Sequence, residues 1–153
     1  MKRFAILLAT WGYAGYVPFA PGTFGSAAAF IAYLGVRWTG SPAVELSVAV
    51  ALFAAGIWAA QTAEQHFGRT DPGYIVVDEV VGMLVTLLFL PVTWKGALLG
   101  FLLFRLFDIV KPFPAARCER LYGGFGVMVD DLVAGIYGNL SLRLLVWLVP
   151  AAL

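Results

Sequence analysis

Histidine and cysteine each occur once in this chain of 153 residues, at His66 and Cys118. One cysteine excludes an internal disulfide and a cysteine-based zinc centre. Position 124, six residues beyond Cys118, is glycine and not arginine, so a cysteine-phosphatase loop is absent. One histidine cannot supply the second histidine that histidine-nucleophile phosphatase chemistry uses, and His66 reads as an ordinary surface or capping group. No Asp-x-Asp occurs, which removes the aspartyl-phosphate signature. Charge is also scarce. Charged residues make up 12% of the chain and the net charge is +1, about half the charged share of an ordinary soluble domain. With no basic run or stripe, nucleic acid is excluded as a partner.

What is present is apolar: 61% of the residues. That balance and length predict one domain, residues 1–153, in a lipid bilayer. The amino terminus has the two basic residues and short apolar run of a signal peptide. Trp11, Gly12 and Tyr13 interrupt that run, and it leads into a Pro/Gly turn, so it reads as part of the fold. Residues 4–20 read as a short interfacial helix or half a crossing. Apolar helices follow over 25–36, with Thr23 as N-cap, then 43–63, 76–92, 94–111 and 130–149, separated by Pro/Gly turns and by the loop HFGRTDPG. The fold class expected is all-α, a polytopic membrane protein of about five apolar helices.

With five crossings, Lys2, Arg3, Arg69, Lys111, Arg117 and Arg120 fall on one side, against Arg37 and Lys95 on the other. An excess of basic residues marks the cytoplasmic face. Residues 21–26, Asp78-Glu79, Asp108–Lys111 and Asp130-Asp131 share that face. The helix beginning at Asp78-Glu79 carries VDEVVG, and the helix expected to begin at Asp130-Asp131 carries VDDLVAG. In each an acid precedes a glycine by four residues, Asp78 before Gly82 and Asp131 before Gly135, hence on one helix face. Small residues there let the two helices approach and bring their carboxylates together. Arg105, Asp108 and Lys111 recur every third residue as a polar stripe.

Five carboxylates without histidine, Asp78, Glu79, Asp108, Asp130 and Asp131, suit a hard cation such as Mg²⁺. Lys111 and Arg105 would hold an anion beside it. Acids at helix starts also serve as caps and favour the macrodipole, but five on one face of so apolar a chain point to chemistry. PGTFGS at 21–26 opens a helix, so Thr23, Gly25 and Ser26 could bind phosphate through amides and hydroxyls, although a plain capped turn explains it equally. The alternative is a small cation or proton transporter or channel subunit using these acids, which Asn139 and Arg143 midway along the last helix keep open.

Four stretches together, PGTFGS, IVVDEVVGM at 75–83, FRLFDIVKPFP at 104–114 and GGFGVMVDDLVAG at 123–135, resemble the phosphatidylglycerophosphatase A family of bacterial membrane lipid phosphatases. The resemblance implies a Mg²⁺-dependent hydrolase that removes the terminal phosphate of phosphatidylglycerol phosphate. It also implies a multi-pass protein of the bacterial inner membrane with its site facing the cytoplasm. The five acids would hold one or two Mg²⁺, with Glu79 or Asp131 taking a proton from the attacking water. Lys111 and Arg105 would stabilise the phosphoryl oxygens, with Thr23 positioning the phosphate or acting instead as a covalent nucleophile. The Gly-rich helix faces permit a dimer without requiring one.

Overall fold

The computed structural model describes residues 1–118 and 120–149. Helices α1 (Lys2–Ala9), α2 (Pro21–Trp38), α3 (Pro42–Phe67), α4 (Val77–Leu87), α5 (Trp94–Val110), α6 (Ala115–Cys118) and α7 (Gly123–Leu148) make up the fold, with a 3₁₀ turn at Ala14–Tyr16 and no strand among the described residues.

The centre is α4. Nine of its eleven residues are buried, Asp78 among them. It packs most extensively against α7 and also touches α1, α2, α3 and α5. Residues 76–92 were expected to form one helix ending at Pro91, yet α4 stops at Leu87. A proline ring clashes with the carbonyl four residues back and pushes its predecessor out of the helical region. For Pro91 those positions are Leu87 and Leu90. Phe89 then turns the chain with φ 59°.

Eleven residues span about 16 Å and the eight of α1 about 12 Å, both well short of a hydrocarbon core of about 30 Å. Only α3 and α7, of 26 residues each, are long and apolar enough to cross among the described residues. The five expected crossings are therefore not supported. In each of these two helices only 28% of the apolar window is buried. Their apolar side chains face outward, as do Ile31 and Leu34 on α2 and Leu102, Leu106 and Ile109 on α5.

Small residues set the close contacts. Ala5 and Ala9 of α1 bury against Ala59, Ala60 and Ala63 of α3. The Gly123–Gly126 stretch belongs to α7, so that helix begins seven residues before the Asp130 start read from the sequence. At that end the Gly124 amide donates to Gln61 Oε1 of α3 at 3.0 Å.

Asn139 and Arg143 finish the broken end of α4. Asn139 Nδ2 lies 3.1, 3.0 and 3.0 Å from the carbonyl oxygens of Val85, Thr86 and Leu88. Arg143 donates to Asn139 Oδ1 at 2.7 Å and to Leu88 O at 3.1 Å. A helix terminus inside an apolar protein needs donors for its last carbonyls. These two residues supply them, so their place midway along α7 marks a helix end and not a polar pathway.

Candidate active site

Four elements deliver polar groups to the other end of α4. Asp78 and Glu79 lie in its first turn, but neither caps it. The N-cap position is Val76, with no side-chain cap. Asp130 and Asp131 lie two turns inside α7, where no free amide calls for an acid. Asp108 sits near the carboxyl end of α5, the wrong end of the helix dipole for an anion. Capping therefore does not explain these acids.

Carboxylate oxygens of Asp78, Glu79 and Asp131 all lie within 4.8 Å of one another. Asp78, Asp130 and Asp131 are buried, and Glu79 is nearly so. Asp108 and Asp130 are engaged differently. Asp108 pairs with Arg105, whose guanidinium also lies 3.9 Å from Glu79. Asp130 Oδ2 accepts from Lys111 Nζ at 2.7 Å. Of the five acids expected as metal ligands, three thus gather closely and two hold the cations of α5. Lys111 sits just past the last turn of α5 with φ 46°.

Among the described residues, three carboxylate oxygens here are buried without a hydrogen-bond partner: Asp78 Oδ1, Glu79 Oε2 and Asp130 Oδ1. Leaving such acceptors unmet costs of order 1–3 kcal/mol each, more for charged groups, and like charges this close repel. A divalent cation would relieve both costs. An all-oxygen carboxylate set suits Mg²⁺ or a similar hard ion.

The expected phosphate loop divides. Helix α2 starts at Pro21, after Ala20 with φ 47°, so Thr23 is a first-turn residue and not the N-cap. Its amide donates to Ala20 O at 2.9 Å, and its side chain is half-buried. Ser26 is fully buried and its hydroxyl donates to Gly22 O at 2.7 Å. A Cβ on Gly25 would collide with Val76, so this glycine serves packing against the approach to α4. Gly22 makes the link to the acids: a Cβ there would run into Glu79 Oε1 and Arg105 Nη1.

Two supporting residues escaped the sequence reading: Gln61, inside the helix read over 43–63, and Glu64, just beyond its expected end. Gln61 holds the start of α7, and buried Glu64 accepts from the Asp71 amide at 2.9 Å, fixing the loop after α3. Their signal was a pair of polar residues three apart on an apolar helix.

The profile of the family described as phosphatidylglycerophosphatase A matches residues 7–146. A protein of Bacteroides thetaiotaomicron with the provisional name phosphatidylinositol-3-phosphatase is 39% identical over 97% of this chain and 99% of its own length. Phosphatidylglycerophosphatase A of Haemophilus influenzae is 40% identical over 86% of this chain and 82% of its own. That of Escherichia coli is 36% identical over 85% and 76%. No solved structure matches.

Proposed function

The chain belongs to the phosphatidylglycerophosphatase A family and is a phosphatase, and from that premise we propose that it hydrolyses the terminal phosphomonoester of phosphatidylglycerol phosphate at the acidic cluster, with Mg²⁺. The observation that carries this reading is the set of buried, unpartnered oxygens on Asp78, Glu79 and Asp130. A bound cation would satisfy those of Asp78 and Glu79, beside the Asp131 carboxylate.

In this reading Asp78, Glu79 and Asp131 hold the metal. When bound, Mg²⁺ supplies positive charge to the phosphate oxygens and acidifies water. The chain's own residues do the rest. Lys111 and Arg105 meet the phosphoryl oxygens and stabilise the charge that develops on them. Asp108 fixes the Arg105 guanidinium. Asp130, one oxygen pinned by Lys111 and the other without a partner, takes the proton of the attacking water. Thr23, in the turn that presses on Glu79, positions the phosphate.

The outward apolar faces of α3 and α7 support a bilayer setting, with the acyl chains of the substrate remaining in lipid. Arg105 and Lys111, the basic residues that pair with the acids, suit a site at the cytoplasmic surface of a bacterial inner membrane. The transporter alternative is not favoured, because Asn139 and Arg143 are committed to the carbonyls of α4.

The test is inorganic phosphate release from phosphatidylglycerol phosphate in detergent micelles, with Mg²⁺ and then with chelator. Release that stops with chelator is expected. No release from folded protein would end the proposal, and release from phosphatidylinositol 3-phosphate alone would reassign the headgroup.

A further inference from the structure

One residue before Gly22, which packs on Glu79 and Arg105, Pro21 borders a cleft of about 920 Å³ that Tyr16, Phe67, Arg69, Asp71 and Tyr74 also line. Resting on the phosphatase reading above, we propose that this cleft is the subsite for the polar body of the lipid headgroup, its polyol and phosphodiester. Arg69 meets the diester anion, and Tyr16, Tyr74 and Asp71 meet the polyol.

Position comes first. Pro21 lines the cleft, and its neighbour Gly22 touches Glu79 and Arg105. A lipid whose monoester sits at the acids could extend its next few atoms past Gly22 and Pro21 into this cleft. The volume suits them: small-molecule sites commonly measure about 300–1,000 Å³.

The lining has matching chemistry. A phosphodiester carries one negative charge, and an arginine offers it a planar fork of donors. A polyol has both donors and acceptors, which a carboxylate and phenol hydroxyls satisfy. The rings of Tyr16, Phe67 and Tyr74 form one packed wall, with centroids 5.4 Å apart for Tyr16–Tyr74 and 5.3 Å for Phe67–Tyr74. Such rings, apolar in body and polar at the tip, suit the water–lipid boundary.

The backbone of the cleft is strained on both sides. Ala20 (φ 47°) and Asp71 (φ 42°) are non-glycine residues in the left-handed region, and each immediately precedes a proline, Pro21 and Pro72. Both prolines border the cleft. Strain of this kind persists where surrounding contacts hold a functional shape. One such contact is the bond from the Asp71 amide to Glu64.

Pairwise identity to single relatives does not separate the headgroups. Relatives named for two different headgroups are 39% and 40% identical to this chain. The choice falls to a local wall, and this cleft, which Pro21 borders one residue from Gly22, has room for the headgroup.

The experiment compares kcat/KM for phosphatidylglycerol phosphate and for phosphatidic acid, which has a phosphomonoester but neither polyol nor diester. The unaltered protein, Arg69→Gln, Arg69→Lys and Tyr74→Ala are assayed in the same micelles. Arg69 is exposed, so its replacement spares the fold. The unaltered protein is expected to prefer phosphatidylglycerol phosphate. Arg69→Gln should lower that preference about tenfold, mainly through KM, as loss of one charge-assisted hydrogen bond implies. Arg69→Lys should recover part of it, and Tyr74→Ala should also narrow the preference. Equal use of both lipids by the unaltered protein, or a preference that survives Arg69→Gln and Tyr74→Ala, would overturn the subsite while leaving the phosphatase reading intact. Hydrolysis of neither lipid by folded protein would end the phosphatidylglycerol phosphate reading and the subsite with it.

Discussion

Gly82 and Gly135 meet with no side chain between them: a Cβ on Gly135 would run into the carbonyl oxygen of Gly82, and one on Gly82 would lie 2.8 Å from the Asp131 carbonyl oxygen. Thr86 closes the junction, its hydroxyl 2.9 Å from Gly82 O and 3.3 Å from Gly135 O. Asp78 and Asp131 stand one turn from these glycines, so the spacing of α4 and α7 sets the spacing of the carboxylates. Gly135→Ala is expected to force the helices apart, costing roughly 1–3 kcal/mol as over-packing does. Thermal unfolding in detergent would show a lower Tm, and activity measured below that Tm should fall as well. An unchanged Tm would mean that the crossing tolerates a methyl group.

Asn139→Ala tests the other end of α4. It removes the shared donor of three carbonyls, and the expected cost is about 1–3 kcal/mol. Because Asn139 lies at the end of α4 away from the acids, KM should stay near its original value at temperatures where the variant is folded. A selective loss of turnover with unaltered Tm would instead give Asn139 a part in the chemistry.

Lys111→Gln removes the cation that pins Asp130. If Lys111 stabilises the phosphoryl oxygens in the transition state, kcat should drop by about 10²–10³, as for loss of one oxyanion donor. Asp108→Asn should also lower kcat, by loosening Arg105, without preventing insertion and folding. Steady-state kinetics on both variants checks this. Retained kcat in either would remove that residue from the site.

The sequence made part of this site legible for a geometric reason. A four-residue step keeps an acid and a glycine on one face of a helix, so the convergence of Asp78 and Asp131 is legible in the sequence alone. The start of α7 is not. Gly123, Gly124 and Gly126 read as loop residues, yet a Cβ on Gly124 would strike Ile57 O of α3, a constraint that comes from a helix far away in sequence. Nor could the purpose of Asn139 and Arg143 be seen, because their partners are main-chain carbonyls exposed only when α4 breaks. The Arg105–Asp108 pair follows from the three-residue step along α5, but the engagement of Asp130 by Lys111 was hidden, since it depends on how α5 ends at Lys111. The number of crossings was over-read: apolar character counted α4 as a span, whereas eleven residues are too few.

Metal dependence is the most direct test of the proposed centre. Protein stripped with chelator would be titrated with Mg²⁺ while phosphate release is followed, with Asp131→Asn beside the unaltered chain. Activity should return saturably in the unaltered protein. Asp131→Asn should need far more Mg²⁺, at least about a hundredfold, since even indirect metal contacts are worth 10–100-fold. Full activity in the stripped protein, or the same Mg²⁺ requirement in Asp131→Asn, would contradict a metal centre built on Asp78, Glu79 and Asp131.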